Sequence, residues 1–118
     1  MTFSEYRRHD ALGLAELIRK REVSAAELME IAIRRTEEVN PALNAVIHKM
    51  YDEGRKIAAA ADPAAPFAGQ PFLIKDLGLE VKGFPIRTGC KGYEGYISSE
   101  DSLDRKSTRL NSSHLVIS

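Results

Sequence analysis

A change of rhythm near residue 70 divides the chain. Before it, apolar side chains recur at helical spacing; after it, the short apolar pieces FLI, LEV and FPI alternate with Gly78, Gly83, Gly89, Gly92 and Gly95. Glycine every few residues is incompatible with a long helix, and a helical period does not sit well in a strand. The order therefore predicts an α/β fold, N-terminal helices followed by the first strands of a mixed sheet. Asp10 is placed to cap a helix through Leu12, Leu14, Leu17 and Ile18, which ends in Arg19, Lys20 and Arg21, where cations suit the helix dipole. Ser24 and Glu27 form a capping-box pattern for a second helix, with Leu28, Ile31, Ala32 and Val39 as its stripe and a stop at Asn40 before Pro41. Ile33 lies off that stripe and is expected to be half exposed. Residues 43–47, LNAVI, are β-capable, and 51–61 form an alanine-rich helix ended by Asp62-Pro63. The strands that follow are too few to close a core of their own, so their partners are expected beyond the C-terminus.

Charge and cysteine use exclude several classes. Basic and acidic residues balance at 17 each, which leaves no electrostatic footprint for nucleic acid or an anionic membrane. Cys90 is the single cysteine, so no internal disulfide is possible, and His9, His48 and His114 lack ligand spacing. No metal and no cofactor is expected, and a reducing cytoplasm fits. The start, MTFSEYRRHD, has no apolar stretch of signal-peptide length. Nor does any window approach the roughly 20 apolar residues of a spanning helix.

The residue that most invites a chemical reading is Lys75, at the inner end of the apolar run in GQPFLIKDLG, residues 69–78. A lysine ordinarily titrates at about 10.4, whereas a useful general base sits near about 7 to 8, a gap of about 4 kcal/mol. Desolvation or a cationic neighbour supplies a shift of that sign, and the end of a buried strand offers both. The plainer alternative is a strand-end lysine that reaches solvent or pairs with Asp76. A close carboxylate would hold the ammonium charged, but adjacent strand residues face opposite ways, so the two need not meet. Other signals carry less. Gly78 and Gly83 have the gap of a phosphate loop, yet Phe84-Pro85 follows where Lys-Ser/Thr is required. Cys90 has no histidine near it in sequence and reads as a buried or loop-packed thiol. Tyr93 and Tyr96 read as loop packing, and Ser98 and Ser99 lack the glycines that expose a nucleophile.

PFLIKDL, preceded by LIRKREVSAAELMEIAIRRTEEVNPALNAVI and followed by EVKGFPIRTG, resembles the N-terminal region of the amidase signature family. The likeness runs from Asp10 to Leu103. It implies a truncated portion of the amidase signature fold, and an amide-bond hydrolase acting on a small-molecule amide by a Ser-Ser-Lys mechanism. Lys75 matches the family's catalytic lysine. The segment that carries both serines in the family is not found in this chain, so the fragment is expected to be inactive by itself. LNAVIHKMYDEGRK, PFAGQPFLIKDL and the KGY run are most similar to the branch that hydrolyses cyclic oligoamides of the nylon type. The alternative within the family is the transfer-RNA-dependent amidotransferase component that releases ammonia from glutamine. Outside it, the alternative is a non-catalytic helical interaction module. DRKSTRLNSSH, within 104–118, resembles instead the in-frame translation of a sequencing adapter. An amidase part is thus expected over 1–103 and a non-native polar tail over 104–118.

Overall fold

Helix signals in the first sixty residues are local and strong, and the computed structural model follows most of them. It describes residues 1–67 and 69–102 and, as backbone, 112–117. Helix α1, Phe3–Tyr6, is closed by a full capping box, the Thr2 hydroxyl receiving the Glu5 amide while the Glu5 carboxylate receives the Thr2 amide. Helix α2, Ala11–Arg19, starts as the sequence predicts, with the Asp10 carboxylate accepting the Gly13 N–H at 2.7 Å. Helix α3, Ala25–Leu43, begins under the Ser24 hydroxyl, which accepts the Glu27 N–H at 3.1 Å. The Glu27 side chain does not complete the box; it pairs with the Met1 amine at 2.5 Å.

Two expectations for α3 need correction. The helix does not stop at Asn40 but runs through Pro41 to Leu43. A proline within the last turn forfeits a single backbone bond, and the end is held by other means. Asn44 adopts the left-handed conformation at φ 50° and donates its N–H to the Asn40 carbonyl at 2.7 Å. The Asn40 amide then grips Val46 at both its N–H (2.8 Å) and its carbonyl (3.0 Å). Ile33, expected half exposed, is only 7% exposed. Helix α3 touches α1, α4 and the sheet, so its buried arc is wider than one stripe.

The Asn40 clamp also explains why 43–47 is not a strand: its backbone groups serve the end of α3. Strand β1 is His48–Lys49, and helix α4, Tyr51–Ala59, follows at once. Strand β2, Gln70–Ile74, opens with a proline near its first position, where a missing donor is tolerated. The expected pieces LEV and FPI do not become strands. They meet residues 97–102 through scattered backbone bonds: Gly83 N–H to the Ser98 carbonyl, Ser98 N–H to Phe84, Ser102 N–H to Glu80, and a lone Pro85–Ile97 bridge. Strand β3, Ser112–Ile117, lies where the sequence suggests a polar tail without structure. It sits between the other two, parallel to β2 and antiparallel to β1, giving a mixed sheet of order β1-β3-β2.

Buried side chains form two clusters. The larger gathers Leu14, Ala15 and Ile18 of α2 with Leu28, Met29, Ile31 and Ile33 of α3, closed by Val46 and by Ala58 of α4. The smaller joins Met50, Ile74 and Val81, with Leu79 and Phe84 against them. Ile74, 1% exposed, thus fastens the end of β2 immediately before the lysine that sequence reasoning singles out.

Candidate active site

Lys75 is the first residue past the carboxyl end of β2. Its predecessor is locked in the small core, its own side chain is exposed, and Leu77 (59% exposed) and Ile97 (53%) also stand in the open. The dry surroundings that a lysine base requires are therefore not supplied by the described residues. Of the plainer alternative, a strand-end lysine that reaches solvent or pairs with Asp76, the first form is what the described residues show and the second is not. Asp76 is half-buried, and its Oδ1 accepts the Arg87 N–H at 2.8 Å. None of the ion pairs among the described residues includes Lys75.

Asp76 and Arg87 border a small cavity of about 40 Å³ shared with Ile47, His48 and Pro85. His48 reaches it from β1, its ring edge-on to Phe84 at 5.7 Å between centroids. Burial pushes the His48 imidazole below the ordinary histidine value of 6.5, and the Arg87 guanidinium pushes it further the same way. Sequence reasoning did not place His48 here, because the pairing joins β1 to a loop nearly forty residues on. A broader cleft of about 420 Å³ opens beside Lys49, Tyr51, Arg55 and Phe84. Its wall is a charge network: Lys49 Nζ donates to Glu37 at 2.9 Å, the Tyr51 hydroxyl donates to the same carboxylate, and Arg55 Nε reaches Glu30 at 2.6 Å. Those donors hold the Glu37 and Glu30 carboxyls below their usual range.

The remaining sequence candidates are dispersed. Ser98 is sealed at 2% exposure, its backbone paired on both sides with residues 83 and 84, while its Oγ has no partner among the described residues. Cys90, expected buried or packed, is exposed in a turn that its N–H closes on the Arg87 carbonyl at 2.8 Å. Tyr93 and Tyr96 pack edge to face at 5.9 Å, and the Tyr96 hydroxyl reaches Glu80 at 3.3 Å, as loop packing requires. His114 falls in 104–118, where no side chain is described. Among the described residues no three His, Cys, Asp or Glu side chains stand where they could hold a metal ion, and no helix is long and apolar enough to cross a membrane.

The sequence pattern of the family described as Amidase matches residues 27–111, well over half of the chain. The 6-aminohexanoate-cyclic-dimer hydrolase of Paenarthrobacter ureafaciens is 38% identical over 95 residues, covering 79% of this chain and 19% of that protein. A solved structure of a 6-aminohexanoate cyclic dimer hydrolase superposes with a TM-score of 0.86 at 34% identity, over 92% of this chain and 23% of the other. A bacterial aryl acylamidase of the amidase signature family does so with a TM-score of 0.82 at 29% identity, covering 92% and 24%. The chain belongs to the amidase family and adopts part of the amidase signature fold. It spans about a fifth of the length of the curated relatives it matches.

Proposed function

We propose that this chain is the lysine-bearing part of an amide-bond hydrolase that works by a Ser-Ser-Lys relay, with Lys75 as its base. The observation that carries the reading is the placement of Lys75: directly past the carboxyl end of β2, after the buried Ile74, with the adjacent acid, Asp76, engaged elsewhere. In the relay, neutral Lys75 takes the proton of a bridging serine, which takes the proton of a second serine as that oxygen attacks the amide carbonyl. A tetrahedral oxyanion forms and collapses, the C–N bond breaks, and the amine leaves with the proton returned through the bridge. Water then releases the acyl group by the same route in reverse.

Both serines belong to the remainder of a complete enzyme. The relatives' greater length supports that division, and the exposed Leu77 and Ile97 give the remainder an apolar surface to cover, which would dry the lysine. The amidase part is 1–103, and 104–118 is a tail foreign to the enzyme, although the family pattern extends to residue 111. The substrate is a small-molecule amide, and the lone thiol suits the cytoplasm. Replacing Lys75 by alanine in the complete enzyme lowers kcat by about 10²- to 10⁴-fold, while the 118-residue chain alone hydrolyses no amide. Wild-type turnover in a folded Lys75→Ala enzyme would exclude the lysine as base.

A further inference from the structure

A carboxylate directly after a lysine base is a hazard. An opposite charge within about 4 to 6 Å favours the ammonium, and a base must give that proton up. The chain deals with the hazard by geometry. Asp76 Oδ1 accepts the Arg87 N–H at 2.8 Å, across eleven residues, and the side chain borders the cavity walled by His48, Arg87, Ile47 and Pro85. The loop it grips is itself held. The Cys90 N–H returns to the Arg87 carbonyl, Thr88 and Gly89 turn through the left-handed region at φ 50° and 67°, and Pro85 bridges Ile97.

From this we infer that Asp76 is a positioning residue for Lys75: its bond to the Arg87 amide fixes the strand end that presents the lysine and keeps the acid off the base. The inference rests on the reading of Lys75 as general base. The lysine is then fixed at two points. Ile74, before it, is sunk in the small core, and Asp76, after it, is tied to the loop; beyond, Gly78 turns the chain away at φ 76°. Between such anchors the backbone at residue 75 is set and only side-chain torsions remain. That economy matters because a 1 Å misplacement of a reacting group costs about 10²-fold in rate.

Two variants separate the acceptor from the charge. Asp76→Ala removes both, whereas Asp76→Asn keeps an oxygen that can receive the Arg87 N–H. In the complete enzyme, Asp76→Ala is expected to lower kcat about 10- to 100-fold, with KM within about 3-fold. Asp76→Asn recovers most of that loss and leaves the acid limb of the pH–rate profile in place. Equal losses in the two variants, or no loss in either, overturn the inference. So does an acid limb that moves to lower pH in Asp76→Asn, which would make Asp76 the counter-ion of Lys75. In the 118-residue chain, exchange of the Arg87 amide should quicken at least about 10-fold in Asp76→Ala and stay slow in Asp76→Asn; unchanged exchange in both removes the tie. Lys75→Ala serves as the control. If it is inactive while Asp76→Ala is normal, only the positioning role falls; if it is fully active, the base falls and the positioning role with it.

Discussion

Residues 1–61 and residues 69–102 solve the same problem to different degrees. The first stretch carries its own core, capped helices and a side-chain clamp at the end of α3. The second buries few apolar side chains, while both leave large ones in the open, Leu12, Leu43 and Ile47 in the first and Leu73, Leu77 and Ile97 in the second. It also holds both buried side-chain atoms that lack a partner among the described residues, Gln70 Nε2 and Ser98 Oγ. An orphaned buried hydroxyl or amide costs about 1 to 3 kcal/mol, a burden absent from the described helices. Stability and chemistry are thus segregated along the chain. The larger core lies wholly among residues 1–61, and the candidate base stands outside it.

The contrast can be broken by mutation. Leu28→Ala, at a fully buried site in the larger cluster, should cost about 3 to 5 kcal/mol and unfold the chain cooperatively in urea. Ile74→Ala should cost about 2 to 3 kcal/mol, with faster amide exchange confined to residues 69–102. If it loosens the helices equally, the two regions are one cooperative unit and the contrast fails. Asn40→Ala should cost about 1 to 2 kcal/mol and free the Val46 amide, which the Asn40 side chain holds just past the end of α3. The smallest effect belongs to His48. Its folded pKa lies below its unfolded value near 6.5, so the unfolded chain binds more protons between the two values. The contribution of His48 is fully present above about 6.5 and fades as the pH falls through the folded value. A ring-proton titration by NMR with a midpoint at or above 6.5 would contradict the burial of His48 against Phe84.

How far the sequence discloses this arrangement depends on how far apart the interacting residues lie. Helix α2 was legible because Asp10 and Gly13 are three residues apart, and the start of α3 for the same reason with Ser24 and Glu27. Helix α1 carries the same kind of local signal, in its Thr2–Glu5 pattern. What local reading missed was tertiary. Ile33 is buried by neighbours on a second side of α3, and LNAVI loses its strand to a clamp from Asn40. LEV and FPI pair with residues 97–102 through isolated bonds, a pattern without a period. The candidate site divides in the same way. Lys75 stands out in PFLIKDL through the family likeness, whereas the Asp76 tie to an amide eleven residues away, and His48 beside it, follow from no local spacing.

The open position of Cys90 has a practical side. It is the sole thiol of the sequence and lies three residues from the amide that Asp76 holds. A maleimide fluorophore or a nitroxide will therefore attach at one place without engineering. That reporter stands on the loop whose fastening to the strand end is in question.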